Sequence, residues 1–385
     1  MTTQQRGQRP LDVLVIGAGI AGLTAAIALG KQGHRVVILE KSRFARETGT
    51  AISMPPNCTA LLQWMGIDPR DFGGTLLHRM QLRDHLGNIK HDQDYTALRH
   101  AWQAEWYLIH RVDLHNHLKQ RALETATLHV ECKIINADIT SSRPSVTLQD
   151  GRRFECDILL GADGLQVWGF LIDAQFKTES SRIAVRPPSK HSPRFCRPKA
   201  DGKVSLPLAS TDKPVEKRRG DDRSGWQATG NKEALVRGFA NFSPSAKALV
   251  ENAGDDLKVW ELYDMKALPS WVRGHSALLG DAAHPFQPYM GQGGAMAIED
   301  AVSLAILLPL GTLTKDVPVR LALYEQARRG RVEMILEYTR INGRDDGDDS
   351  AKRINADECV LRTTKSKARV LCSSRRMDSS FPNSR

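Results

Sequence analysis

Residues Leu11–Lys41 read LDVLVIGAGIAGLTAAIALGKQGHRVVILEK, and the fold is decided there. The run Leu11–Ile16 is short, apolar and closes on Gly17, the pattern of a parallel strand buried on both faces. Glycines at 17, 19 and 22 form a G-x-G-x-x-G turn. Gly17 permits the tight turn, Gly19 lets the backbone approach a pyrophosphate, and Gly22 lets the next helix pack close to the strand. In that helix Ile20, Leu23, Ile27 and Leu29 are expected to face the sheet. Its N-terminus offers free N–H groups and partial positive charge to phosphates. Arg35–Leu39 reads as the next strand. Glu40 ends it about 20 residues after the turn, where a carboxylate can accept from both hydroxyls of a ribose. Lys41 follows at the same tip as a further candidate contact. Val13–Gly30 is also about long enough to cross a bilayer. Yet no small-residue cleavage site follows the apolar core, and a strand ending in Glu40 does not suit a span. The stretch reads as a dinucleotide-binding unit.

At 385 residues there is chain enough for two domains or one large fold with insertions. The net charge is +10, and Lys177–Arg223 alone holds 13 basic and 6 acidic residues. That stretch is rich in Pro and Ser and poor in stacking aromatics, so it reads as a solvated segment and no nucleic-acid partner is expected. Six cysteines (58, 132, 156, 196, 359 and 372) show no C-x-x-C spacing, which predicts reduced, structural thiols and a cytoplasmic setting. No metal-ligand set is recognisable, and no metal is expected. Asp113, His115 and His117 alternate at a helix start and read as solvated surface. A serine-hydrolase reading finds no G-x-S-x-G elbow.

Three later segments add to the dinucleotide unit. Tyr107–Leu118 reads YLIHRVDLHNHL, a strand followed by a helix that presents Arg111 near its start, within reach of a phosphate or a ring carbonyl. Cys156–Leu165 reads CDILLGADGL, a buried strand over Ile158–Leu160 running into a Gly-Ala-Asp-Gly turn that holds Asp163. Ser276–Pro285 reads SALLGDAAHP, another apolar strand running into Gly280-Asp281. Asp281 would stand at a strand's carboxyl end, where open α/β sheets bind ligands. Beyond it, Gly291, Gly293 and Gly294 let the backbone come close to a flat ring. Ala295–Leu308 reads as a helix with Ile298, Val302 and Ala305 on one face and Glu299 and Asp300 solvated in its first turn. Its N-terminus can stabilise negative charge on a reduced ring. His284 reads as a loop-positioning residue in preference to a base.

GAGIAG with Glu40, the Arg111 segment, GADG and GDAAHPFQPYMGQGGAMAIEDA (Gly280–Ala301) together resemble the FAD-dependent aromatic-ring hydroxylases. These are the single-component flavoprotein monooxygenases that include p-hydroxybenzoate and salicylate hydroxylases. The resemblance covers residues 10–165 and 226–345 and is closest to fungal salicylate-hydroxylase-like members. It implies an α/β fold: a Rossmann-like FAD-binding domain with an inserted β-sheet substrate domain. It further implies that Glu40 holds the adenosine ribose, Ala51 lies beside the cofactor, Arg111 contacts FAD and Asp281 binds the ribityl chain. Asp163 is implied near the pyrophosphate and the pyridine-nucleotide path. FAD is the expected cofactor, and NADH or NADPH the transient co-substrate, since only one complete fingerprint is present. The implied activity is O2-dependent hydroxylation of a phenolic small molecule. Two alternatives stay open: a hydroxylase or epoxidase of a polyketide or terpenoid secondary metabolite, and a catalytically impaired FAD-binding protein. No catalytic residue is assigned.

The expected FAD-binding domain is discontinuous, comprising residues 1–71, 102–165 and 267–344, with 72–101 and 166–266 as the substrate domain and 345–385 as a solvated tail. In the first insertion Met80–Arg83 alternates like a strand and His85–Asn88 makes a turn. The second insertion reads as degraded. After Gln166, VWGFLIDAQFKTESSRIAVRPPSKHSPRF shows poor alternation until Gly225-Trp226. Residues 167–224 are therefore expected to be disordered, out of frame or retained non-coding sequence. Helical spacing returns at Leu235, Phe239 and Phe242.

Overall fold

The opening run forms β1 (Asp12–Ile16), the glycine turn leads into α1 (Ile20–Lys31), and β2 (Arg35–Leu39) follows. The structure, a computed structural model, describes residues 9–43, 51–96, 101–164, 183–184, 231–254, 257, 263–265 and 267–343. The readings made for 167–224, the tail and Cys196, Cys359 and Cys372 therefore lie outside the described residues, apart from a short strand at 183–184. Next come β3 (Ala51–Met54), α2 (Pro56–Trp64), β4 (Thr75–Leu76), β5 (Arg79–Arg83), β6 (Ile89–Asp94), β7 (Tyr107–His110) and α3 (Arg111–Ala122). The chain goes on through β8 (Ala126–His129), β9 (Ile134–Asp138), β10 (Ser145–Leu148), β11 (Arg153–Glu155) and β12 (Ile158–Gly161). A short β13 (Ile183–Ala184), α4 (Lys232–Gly238), α5 (Pro244–Glu251), β14 (Tyr263–Asp264), β15 (Val272–Arg273) and β16 (Ser276–Leu278) lead to α6 (Gly293–Leu307) and α7 (Val317–Gly343).

Six strands form the main sheet in the order β15-β16-β12-β1-β2-β8, parallel throughout except for β15. The period of two in β1 splits its side chains between two cores. Val13 and Val15 pack with the helices, whereas Leu14 and Ile16 join Leu159 and the Val146, Leu148 and Ile134 side chains of the β9–β10–β11 meander. Both faces are covered, so the strand reads as an unbroken apolar run.

Leu23 and Leu29 of α1 are buried as expected, but the helix buries every residue from Ala21 to Leu29. It has no solvent face because α6 lies across it, and the two helices make the largest helix–helix contact among the described residues. Gly22 is required at that depth: a Cβ there would fall 1.9 Å from the Gly17 carbonyl oxygen. No helix among the described residues is long and apolar enough to cross a membrane.

The first insertion folds as the expected hairpin of β5 and β6. Its turn is held by Asp84, whose Oδ1 accepts the N–H groups of Leu86 and Asn88 at 3.1 and 2.8 Å. The helices α4 and α5 close a small core of Phe239, Ala246 and Val250, with Leu235 and Phe242 packed against it. They rest on the hairpin, where the Ser243 N–H donates to the His85 carbonyl at 2.7 Å.

Candidate cofactor site

In the sheet order β16-β12-β1-β2, the carboxyl ends of four adjacent parallel strands carry Asp281, Asp163, the glycine turn and Glu40. At the usual inter-strand spacing this row runs for about 14 Å. Hydrogen bonds stitch its members side by side. The Gly17 N–H donates to Leu39 O at 2.8 Å, the Ala162 N–H to Ile16 O at 2.8 Å, and the Leu279 N–H to Gly161 O at 3.0 Å.

Gly17 takes a φ of +100° and is wedged against the neighbouring tip, since a Cβ would meet Ala162 O at 2.5 Å and Asp163 Cα at 3.0 Å. Gly19, by contrast, would point a Cβ into open space. Gly19 is also the N-cap of α1 and supplies no side-chain cap, so the first N–H groups of the helix are left for a ligand. Glu40 is oriented by the backbone: its Oε2 accepts the Ala18 N–H and its Oε1 the Ser42 N–H, both at 2.8 Å. Lys41 lies exposed at the same strand tip.

At the other end of the row, β3 and β7 pair so that Ala51 faces His110, which places Ala51 beside Arg111 at the start of α3. The side chain of Asp281 is open to solvent yet walled by protein. That crowding pushes its carboxyl above the ordinary value, against the opposing charges of His284 and Arg111. The glycine-bearing loop comes down on the same spot. A Cβ on Gly293 would lie 3.9 Å from Asp281 Oδ1, one on Gly294 would meet Ile52 Cδ1 at 2.8 Å, and one on Gly291 would meet Ser53 Cβ at 3.1 Å. Ser53 is fixed by the Trp106 indole, whose Nε1–H donates to its Oγ at 2.7 Å. The structure thus places the glycine turn, Glu40, Asp163 and Asp281 at the carboxyl ends of neighbouring strands, with Arg111 and the Gly291–Gly294 loop beside the Asp281 end.

Two expectations need correction. The helix begins at Gly293 and not at Ala295, so Glu299 and Asp300 fall in its second turn, where they face α7 and not solvent. Their exposures are 3% and 0%. Asp300 Oδ1 accepts Arg328 Nε at 2.8 Å, while its Oδ2 lies 3.0 Å from the Gly280 N–H and 2.6 Å from His284 Nε2. Burial opposes ionisation of Asp300, but His284 and Arg328 outweigh it and hold the carboxyl below the ordinary value. Glu299 accepts from Arg328, from Arg331 and from Asn57. His284 is buried between Trp271 and Phe286.

His115, read as solvated, is also buried, with Nε2 2.7 Å from the Ala18 carbonyl of the glycine turn. Its neighbours on α3, Leu114 and Leu118, pack into the helix-side core and carry it inward. His117 stacks on Phe72 at 4.2 Å between ring centroids.

Uncapped N–H donors at the start of α1, open space beside Gly19, a backbone-held carboxylate at Glu40 and an accessible Asp281 at the far end fit one extended dinucleotide. Residues 10–339 match the family model described as FAD binding domain. Hispidin-3-hydroxylase of Neonothopanus nambi is 30% identical over 371 residues, covering 85% of this chain and 87% of that protein. The 3-hydroxybenzoate 6-hydroxylase 1 of Aquipseudomonas alcaligenes is 28% identical over 363 residues, covering 86% and 88%. Among solved structures, Klebsiella pneumoniae HpxO complexed with FAD and uric acid shares the fold. Its TM-score is 0.69 at 23% identity, with 99% of this chain and all of that one covered.

Proposed function

Because the chain belongs to the FAD-dependent monooxygenases built on this FAD binding domain, we propose that it uses NAD(P)H and O2 to hydroxylate a phenolic small molecule. The observation that carries this reading is the row of strand tips from Asp281 to Glu40, with the Gly291–Gly294 loop packed beside its Asp281 end. FAD, when bound, would supply the redox chemistry: acceptance of a hydride from the nicotinamide and activation of oxygen.

The residues of this chain supply binding, orientation and charge. Gly19 and the start of α1 receive the pyrophosphate, with Asp163 beside them. Glu40, already held by two backbone N–H groups, grips the adenosine ribose, and Lys41 flanks it. Asp281 would bind the ribityl chain, with Arg111 and Ala51 as further contacts to the cofactor. Gly291, Gly293 and Gly294 let the backbone lie against the ring, and the α6 N-terminus offers positive potential where negative charge collects on reduction. In the proposed domain plan, residues 72–101 and 166–266 make the substrate side, and the setting is cytoplasmic.

The test is direct. Purified protein is expected to be yellow and to oxidise NADH or NADPH faster when phenolic substrates are added, in a panel that includes hispidin and 3-hydroxybenzoate. Hydroxylated product identified by mass spectrometry completes the assignment. A yellow protein with no substrate-stimulated oxidation would favour FAD binding without turnover. A protein that stays colourless after FAD is added would refute the cofactor site.

A further inference from the structure

Asp300 is the point where three separate elements meet. One of its oxygens takes the Gly280 N–H and His284 Nε2, the two ends of the short turn that carries Asp281; the other takes Arg328 from α7. The turn is further closed by the His284 N–H donating to Gly280 O at 2.9 Å. Arg328, Asp300 and His284 are all at most 4% exposed, so no water competes for these bonds. An aspartate has one soft torsion at its carboxylate, and a guanidinium nitrogen on Oδ1 fixes it so that Oδ2 stays between its two partners. Arg328 also reaches Glu299 Oε2 through Nη1 at 2.7 Å. Arg331, one turn further along α7, gives Nε and Nη2 to Glu299 alone.

We propose that Arg328 is a positioning residue for the cofactor site: acting through Asp300, it fixes the Gly280–His284 turn and so the place of Asp281. The proposal rests on the FAD reading above and adds to it a remote determinant on the C-terminal helix. Arg331 shares with Arg328 the helix, the charge and the partner Glu299, and its side chain is only 10% exposed, but it has no hydrogen bond to Asp300, so it separates positioning from plain stability.

The experiment compares Arg328→Lys with Arg331→Lys. FAD dissociation constants are measured by fluorescence titration of deflavinated protein, and the His284 ring N–H is followed by NMR in the same protein without FAD. R328K is expected to weaken FAD binding by about tenfold, as loss of an orienting partner behind a ligand-binding group does elsewhere, while R331K stays within about twofold of the parent. The protected His284 ring proton should be present in the parent and R331K and lost in R328K. Equal FAD affinity in R328K and parent, or equal weakening in both variants, overturns the proposal. If R328K does not fold, Asp300→Asn takes its place and is expected to weaken FAD binding about as much; unchanged affinity there overturns it. A parent that binds no FAD refutes the cofactor reading instead, and the NMR comparison then decides the positioning role by itself.

Discussion

Asp281 combines two properties that rarely coincide: its carboxylate is reachable by solvent, and protein crowds it from several sides. A side chain of that kind contributes little packing, so Asp281→Ala should leave the melting temperature nearly unchanged. The variant should still shed flavin on gel filtration, read as the ratio of flavin to protein absorbance. Retention equal to the parent would show that Asp281 has no role in binding. His34 behaves oppositely. It is buried, accepts the Leu11 N–H at Nδ1 (3.2 Å) and sits 2.7 Å from Leu308 O at Nε2, which ties the start of β1 to the end of α6. Burial pushes its pKa down, only partly offset by the Leu308 carbonyl. The unfolded chain therefore binds a proton at His34 before the folded chain does. Stability should be full above about pH 6.5, fall as the pH drops from there through the lower folded value, and then level off. Urea midpoints measured across that window should show the slope, and His34→Gln should flatten it.

The strands β1, β2, β12 and β16 could be read from sequence because each is a short, mostly buried apolar run with a glycine or Glu40 at or within two residues of its end. Helix α6 was harder. Glu299 and Asp300 look like solvated first-turn acids, and only Arg328 and Arg331 on the next helix show otherwise. The one signal available was a pair of arginines three apart on a helix that also carries Tyr324, Val332 and Ile335 inward. Period alone does not tell which partner a charge will find. The same holds for His115, whose inward turn depends on α3 packing against α1. Once the pairing is known, its energetics follow. Arg331→Met would remove the Nε and Nη2 bonds to buried Glu299 while leaving the bond from Arg328. Because Glu299 keeps a cation, the cost is that of lost hydrogen bonds to a charged group, about 1.5–3 kcal/mol, and the urea midpoint should drop accordingly. A drop under about 1 kcal/mol would mean that the pair behaves as an exposed one.

At the scale of the whole molecule, the site is made from segments that lie far apart in the chain and meet only through the sheet order. The G-x-G-x-x-G turn is local and legible; its junction with residues 280–294 depends on β12 and β16 entering the sheet beside β1. That arrangement predicts a pattern in hydrogen exchange. Without FAD, amides of β1, β12 and the buried middles of α1 and α6, beyond their unpaired first-turn N–H groups, should exchange slowest. The β5–β6 hairpin, whose second strand is largely exposed, should open first. Addition of FAD at about 100 times its dissociation constant should stabilise the fold by about 2.7 kcal/mol through mass action. If one dinucleotide lies along the row of strand tips, added protection should appear together at residues 17–20, at Glu40 and across 280–294. Protection confined to the first forty residues would mean that a nucleotide binds the glycine turn without reaching Asp281. The two ends of the row would then be separate features, and not one site.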